Sequence, residues 1–174
     1  MDCTAYLNRI LERLLPTHDI VRDYPAGGQI VPAYARYEAL NEKYVLSRKA
    51  TLWKAGEYEH VLFFTVSGQD APDRLTALAQ QLIRDYMEPV LARNNEKYPP
   101  KDHMRTFLTA VIISETPPSV ELVRLIKKYR FDKGYQFSFR GFSQGRLVFV
   151  DLSAGKVCTS PAANDVAEFY RQIL

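Results

Sequence analysis

A continuous apolar run near the middle of the chain, "TFLTAVIIS" at residues 106–114, limits the folds that this sequence can adopt. The run is rich in β-formers and contains no charged residue, whereas a strand with one face in water alternates apolar and polar positions. We therefore predict a strand at 106–114 that lies in the centre of a sheet and is covered on both faces.

Helical periodicity marks the elements that could cover such a sheet. Apolar residues recur at spacings of three and four in 3–15, which ends before Pro16. Asp70 and Pro72 are typical of a helix start, and the stripe that follows predicts a helix over 70–93 with Pro89 near its end. Two further helices are predicted at 118–129 and 161–173.

Strand patterns fill most of the remaining chain. We predict a short strand at 20–24, an antiparallel meander of 31–40, 43–54 and 57–67, and later strands at 134–142, 146–152 and 156–159, with Asn41-Glu42 and Ala55-Gly56 as the meander turns. The expected fold is one α+β, or α/β three-layer, domain over 1–174 with helices packed on a mixed sheet. Strands 106–114 and 134–142, joined by helix 118–129, would form a right-handed β-α-β crossover if they are parallel.

Two-residue turns would fix which side chains share a face of the meander. The predicted core face carries an unexpected charge and is otherwise apolar: Ala33, Ala35, Tyr37, Ala39, Leu46, Arg48, Ala50, Leu52, Val61 and Phe63. Its small residues either allow close packing of a helix or floor a shallow groove. A guanidinium there needs an acid or an anionic ligand, so Arg48 is a candidate anion ligand. Arg36 and His60, on the mixed opposite face, are the other candidates.

Positive charge is concentrated in one region. Between residues 124 and 146 there are seven basic residues and one acid, Asp132, which gives a local charge of +6: Arg124, Lys127, Lys128, Arg130, Lys133, Arg140 and Arg146. Clustered charge predicts contact with nucleic acid or another polyanion, and a solvated surface is the alternative. The same region contains "KGYQFSFRGF", which partly matches an RNA-recognition signature, but we interpret Tyr135, Phe137 and Phe139 as a buried aromatic row beneath a helix.

No catalytic motif is complete. The element order fits a restriction-endonuclease-like skeleton, yet Glu57-Tyr58-Glu59 has a glutamate where the Glu-x-Lys motif needs a lysine, so a degenerate metal-dependent nuclease is only an alternative hypothesis. His18, His60 and His103 lie in different elements without zinc-site spacing. We predict no catalytic residue, no metal and no cofactor, and favour a non-enzymatic binding or protein-interaction module.

Partners and location follow from composition. The two cysteines lack CxxC spacing, the N-terminus lacks signal-peptide character, and no stretch approaches the roughly 20 apolar residues that span a bilayer. We therefore expect a cytoplasmic protein without a membrane partner. A homodimer formed through the mixed sheet face is a further expectation.

The stretches "NEKYVLSRKATLWKAGEYEHVLFF" and "KKYRFDKGYQFSFRGFSQGRLVFVDLSAGKV" resemble a small family of uncharacterised bacterial proteins grouped as a domain of unknown function. The resemblance implies an intracellular bacterial protein. It supplies no catalytic residue to transfer to this chain.

Overall fold

The computed structural model describes the backbone of residues 1–44, 51–66 and 71–174, and the side chains of 1–40, 56–66 and 71–174. The helices are α1 (Cys3–Leu14), α2 (Pro72–Leu82), a π-helix (Ile83–Ala92), α3 (Val120–Lys128), a 3₁₀ turn (Pro161–Ala163) and α4 (Ala167–Arg171). The strands are β1 (Asp19–Ala26), β2 (Gln29–Tyr44), β3 (Thr51–Val66), β4 (His103–Ser114), β5 (Asp132–Gly134), β6 (Phe142–Asp151) and β7 (Lys156–Thr159).

One mixed sheet contains the seven strands of the described chain. Its order is β1-β2-β3-β4-β6-β5, and β7 also pairs with β6. Strands β1, β2 and β3 form an antiparallel meander, whereas β3, β4 and β6 run parallel. The predicted α+β class, with a meander, a β-α-β connection and helices on the sheet, is confirmed.

Helices cover both faces of the sheet, as the apolar run in β4 predicts. Leu108, Ala110 and Ile112 point to one face and pack with residues of α2, the π-helix and α3; we call this the α2 face. Val111 and Ile113 point to the other face and pack with residues of α1 and the C-terminal segment; we call this the α1 face. All five side chains are fully buried, so β4 is the central strand of a three-layer domain.

The α1 face contains the alanines that the sequence places on a core face. Ala33 and Ala35 are fully buried and share a hydrophobic cluster with Tyr6 and Ile10 of α1. Helix α1 itself begins where the Asp2 carboxylate accepts a hydrogen bond of 2.7 Å from the backbone N–H of Ala5. At these two alanines, close helix packing therefore replaces the alternative of an open groove.

The predicted meander turns are wrong. Leu40 pairs with Gly56 and Asn41 pairs with Ala55 inside one antiparallel ladder, so neither predicted turn interrupts β2 or β3. Strand β1, which the sequence predicts only at 20–24, is instead the first strand of the meander. The predicted crossover also ends one strand later than expected, because β4 pairs in parallel with β6, whereas residues 134–142 form mostly a turn.

The predicted helix 70–93 is two kinds of helix in succession. Pro72 starts α2, and from Ile83 the chain widens to a π-helix that contains Pro89. Proline has no N–H to donate, and π-helical turns often occur at functional sites. The predicted cap, Asp70, lies outside the described residues.

Each helix of the described chain is too short or too polar to cross a lipid bilayer.

Candidate functional site

A cleft of about 900 Å³ opens on the α2 face between the sheet and the chain that follows the π-helix. The sheet side is formed by Tyr34, Arg36 and Glu38 of β2, Tyr58 and His60 of β3, and Thr106 of β4. Most of residues 90–101 form the outer wall, and Arg140 lies at the rim. This volume is within the range of small-molecule and cofactor sites.

The cleft is positively charged. Its lining includes five basic residues, Arg36, Arg93, Lys97, Lys101 and Arg140, and two acidic ones, Glu38 and Glu96. Arg36 pairs with Glu38, and Arg93 pairs with a buried glutamate behind the wall. Within the described part of the chain, the other three basic residues take part in no ion pair. They are therefore available to an anion.

His60 forms the floor of the cleft as a neutral ring. It is 5% exposed, and its Nδ1 lies 2.7 Å from the Tyr34 hydroxyl. Burial, and secondarily the nearby Arg36, lower the pKa of His60 to about 4, while burial raises the pKa of Tyr34. The Tyr34 hydroxyl therefore stays protonated and donates a hydrogen bond to Nδ1 of His60. We assign the ring proton to Nε2, which gives the cleft a neutral N–H donor.

The buried His60 predicts a loss of stability on acidification. The unfolded ring binds a proton near pH 6.5, whereas the folded ring does so only near pH 4. Stability from this group is therefore complete above pH 6.5 and decreases as the pH falls to 4, by up to about 3 kcal/mol. In His60→Asn, which keeps an acceptor for Tyr34 and does not titrate, urea unfolding between pH 7 and pH 4 should show a shallower decline. If the pH dependence of unfolding is the same in His60→Asn as in the unmodified protein, the lowered pKa of His60 is contradicted.

A buried carboxylate anchors the outer wall. Glu88 is 3% exposed and accepts hydrogen bonds from Arg93 Nε at 2.6 Å and from the Tyr135 hydroxyl at 2.9 Å, while Lys133 Nζ lies 3.1 Å from Oε2. Burial raises the pKa of Glu88, but these three partners outweigh it, so that the pKa falls below its usual value. Arg93 also donates to the backbone carbonyl of Glu96. Glu88 thereby positions the wall against the sheet.

His103 ties the rim to the sheet. Its Nδ1 donates to the Arg140 carbonyl at 2.8 Å, so the neutral ring accepts from the Thr106 hydroxyl at Nε2, at 2.7 Å. Burial is the main cause of its lowered pKa. The Arg140 side chain donates to the Pro99 carbonyl at 3.0 Å, and its guanidinium lies 5.7 Å from the centre of the Tyr98 ring. The arginine is thus fixed between the wall and the turn that follows β5.

Only some of the candidate binding residues predicted from the sequence line the cleft. Of the anion candidates, Arg36 and His60 both line the cleft, and Arg48 lies outside the described residues. Of the basic region, Arg140 lines the cleft rim and Lys133 pairs with Glu88, whereas Arg124, Lys127, Lys128 and Arg130 are exposed on or just after α3.

Arg146 is separate from the rest of the basic region. It is 4% exposed on the α1 face, where its guanidinium lies 3.5 Å from the centre of the Phe107 ring and 3.0 Å from Asp165. The seven basic residues therefore do not form one surface. In a linear sequence they are neighbours, but β6 directs Arg146 to the face opposite the cleft.

The two glutamates of the nuclease-like stretch also point to the α1 face. Glu57 pairs with Arg105 at 2.9 Å, and Glu59 accepts a hydrogen bond from Thr109 at 2.9 Å and lies 3.8 Å from Arg146. Among the described residues, no three His, Cys, Asp or Glu side chains are grouped so that they could hold a metal ion. In this arrangement the acids neutralise arginines.

The aromatic row predicted at 135–139 is wrong. Tyr135 is buried, but Phe137 is 100% exposed and Phe139 is 87% exposed, because the chain leaves β5 in a turn instead of a strand. Gln136, Phe137 and Ser138 all have positive φ, between 48° and 70°. The alternating aromatic rings suggest a strand, but the backbone of these residues is not extended.

The sequence reasoning missed the outer wall of the cleft. Lys97, Tyr98 and Lys101 lie in "EKYPPK", whose adjacent prolines and lack of periodicity predict only a loop. Two lysines and a tyrosine around Pro-Pro are the available signal. Their position against the sheet depends on Glu88, which no local pattern connects to them.

A second, smaller cavity of about 520 Å³ lies between α3 and the β6-β7 pair. Lys127, Lys156 and Arg171 are its basic residues, and Phe149 and Cys158 contribute to its less polar side. Both cysteines of the chain are free thiols.

Comparison with known proteins places the chain in a family. A family model for DUF8052, a domain of unknown function, matches residues 2–172. The chain belongs to the DUF8052 family. The family match includes both halves of the cleft, the sheet residues of β2 to β4 and the wall at 90–101. No curated protein and no solved structure matches the chain.

Proposed function

We propose that this DUF8052 protein is a binding module whose cleft takes a small organic anion that carries a planar ring. The observation that carries the proposal is the combination, in one cavity of about 900 Å³, of several tyrosine rings with three basic side chains that form no ion pair with any residue the structure describes. Buried clefts with a few convergent polar groups are the usual sites for small ligands.

Each wall of the cleft supplies a different interaction. Lys97 and Lys101 on the outer wall, with Arg140 at the rim, supply positive charge for an anionic group. Tyr58 and Tyr98 line the cleft, and a planar group bound there would pack against these rings. The Nε2–H of His60 would add a neutral donor at the floor.

Binding without chemistry is supported by how the histidines are held. Both ring nitrogens of His103 are hydrogen-bonded within the protein, and Nδ1 of His60 is bonded to Tyr34. A general base needs a free nitrogen and a pKa near the working pH, whereas burial lowers the pKa of both rings. We therefore favour a binding role over catalysis.

The test uses adenosine monophosphate as a probe that combines an anion with a planar ring. Calorimetric titration should detect binding, and Lys97→Ala/Lys101→Ala should weaken it at least about tenfold, which is about 1.4 kcal/mol, because two charge-assisted contacts are lost. Citrate tests an anion without a ring, and adenosine tests a ring without charge. We expect the monophosphate to bind more tightly than either.

The matched control is Lys127→Ala/Lys128→Ala, which removes two exposed lysines of α3 and leaves the cleft intact. This control should bind like the unmodified protein. If it loses binding and the cleft variant does not, the surface of α3 is the anion site, in line with the polyanion hypothesis. If neither adenosine monophosphate nor citrate binds at millimolar concentration, the proposal is wrong.

We also propose that the protein is cytoplasmic and of bacterial origin. Two free thiols support a reducing compartment, because the cysteines of secreted domains are usually oxidised to disulfides.

A homodimer through the mixed sheet face stays a prediction, and light scattering that shows only monomer at high concentration would exclude it.

A further inference from the structure

The turn between β5 and β6, residues 135–141, holds two phenylalanine rings in solvent. Phe137 is 100% exposed and Phe139 is 87% exposed, whereas Tyr135 at the base of the turn is 3% exposed. Contiguous exposed apolar surface on a folded protein commonly marks a contact surface, and these two rings lie two residues apart in one turn. The turn therefore presents rings outward from a buried anchor.

The backbone of this turn is held in an unfavourable conformation. Three successive non-glycine residues, Gln136, Phe137 and Ser138, have left-handed φ angles, which L-residues rarely adopt. Hydrogen bonds close the turn, from Arg140 N–H to the Tyr135 carbonyl at 3.2 Å and from Gly141 N–H to the Ser138 carbonyl at 3.0 Å. Strain of this kind persists where the surrounding structure determines it, and it concentrates at functional sites.

The turn and the cleft share Arg140. This residue directly follows Phe139, and its guanidinium lies over the Tyr98 ring, where Lys97 Nζ also approaches to 5.3 Å from the ring centre. His103 fixes the Arg140 carbonyl from the sheet side. The exposed rings therefore adjoin the basic rim of the cleft.

We propose that single-stranded nucleic acid binds along the cleft and over this turn, an inference that rests on the proposed anion-binding cleft and names its ligand class. Lys97, Lys101 and Arg140 would contact phosphates, and Phe137 and Phe139 would stack on unpaired bases. A basic groove combined with exposed rings is how proteins bind single strands without reading their sequence. Paired bases offer no free faces, so duplexes should bind weakly.

Acidic residues on the same rim disfavour a lipid bilayer as the partner. Glu96 and Asp102 flank the wall lysines, and the exposed Asp132 lies three residues before Tyr135. A flat anionic membrane would meet these acids together with the basic residues. A flexible strand can instead follow the basic side chains and leave the acids in water.

The experiment measures fluorescence anisotropy of a labelled oligothymidylate of about 10 nucleotides, within the site size of single-strand binders. At low ionic strength the full-length protein should bind it. Phe137→Ser/Phe139→Ser should weaken binding about tenfold or more and leave the salt dependence unchanged, because stacking involves no counterions. Lys97→Ala/Lys101→Ala should weaken binding and reduce the slope of log K against log salt concentration by about 1.4.

Ile30→Ser is the matched control. Ile30 is 75% exposed and outside the cleft lining, so this variant also removes an exposed apolar side chain and should bind like the unmodified protein. Thermal unfolding should show that the phenylalanine variant stays folded, since the removed rings are almost wholly in solvent.

Several results would overturn the inference. If adenosine monophosphate binds but the oligonucleotide does not, or if the phenylalanine variant binds the oligonucleotide normally, the nucleic-acid inference is wrong and the anion cleft stands. If neither probe binds, both proposals are wrong. Binding to phosphatidylserine vesicles alone would identify a membrane surface, and a dimer lost in the phenylalanine variant would identify a second copy of the chain.

Discussion

Replacing Gly141 with alanine is expected to lower the free energy of unfolding by about 2 to 5 kcal/mol. Gly141 has a φ of +70°, and a Cβ there would lie 2.0 Å from the backbone oxygen of Met104. The left-handed conformation costs roughly 1–2 kcal/mol for an alanine, and the overlap with backbone adds about 1–3 kcal/mol because no side chain can rotate away. Urea unfolding with linear extrapolation measures the loss.

Gly155→Ala is the control for this prediction. Gly155 also has a left-handed φ, +61°, but no atom lies within 4 Å of its added Cβ. This variant should lose only the conformational term, about 1–2 kcal/mol. Equal losses in the two variants would show that the contact of the turn with Met104 does not constrain Gly141.

The central strand β4 was predictable because its own residues indicate that both of its faces are buried. Leu108, Ala110 and Ile112 face one core, and Val111 and Ile113 face the other, so the four successive positions 110–113 are all apolar. A covering layer on each face follows from that pattern alone. The helices α1 and α3 were predictable for the same reason, since each has one apolar stripe and a clear boundary.

The long hairpin was not predictable from turn chemistry. Asn41-Glu42 and Ala55-Gly56 contain residues that are common in turns, yet both pairs lie inside the β2-β3 ladder. Residue preference at a turn amounts to tenths of a kcal/mol, whereas a ladder of 16-residue strands adds pairing over many positions. The cooperative pairing outweighs the local preference.

At residues 135–139 the error is the reverse: the sequence pattern predicts a strand, and the structure has a turn. Tyr135, Phe137 and Phe139 alternate as in a half-buried strand, and hydrophobicity alone predicts their burial. Only Tyr135 is buried, because it donates to Glu88 and approaches Ser143 at 2.7 Å. Partners distant in sequence determine which of the three rings is buried, so a pattern of spacing cannot distinguish them.

The candidate site was predictable in part. Strand alternation places Arg36 and His60 on one face, and both line the cleft. The wall lysines Lys97 and Lys101 reach the cleft through a loop whose position depends on the π-helix and on Glu88. A buried carboxylate with partners five and 45 residues away leaves no periodic signal in the sequence.

Glu88→Gln is expected to destabilise the fold by about 3 to 5 kcal/mol. The change keeps the shape of the side chain but removes the charge that Arg93 and Lys133 share, at a position that is 3% exposed. Arg93, whose side chain is only 15% exposed, would keep its charge without the buried carboxylate, and that penalty is of this size, whereas the half-exposed Lys133 can be hydrated. Urea unfolding at pH 7 measures it.

The pH dependence separates lost charge from lost packing. Since the folded-state pKa of Glu88 lies below its ordinary value of 4.5, its stabilisation is complete above that pH and is lost as the pH falls through the folded-state pKa. The difference between the unmodified protein and Glu88→Gln should therefore narrow below pH 4.5. Asp85→Asn removes a carboxylate from an exposed pair with Arg84 on the same helix and should change stability little at any pH. A gap between Glu88→Gln and the unmodified protein that persists unchanged at low pH would show that packing, and not charge, makes Glu88 the anchor of the cleft wall.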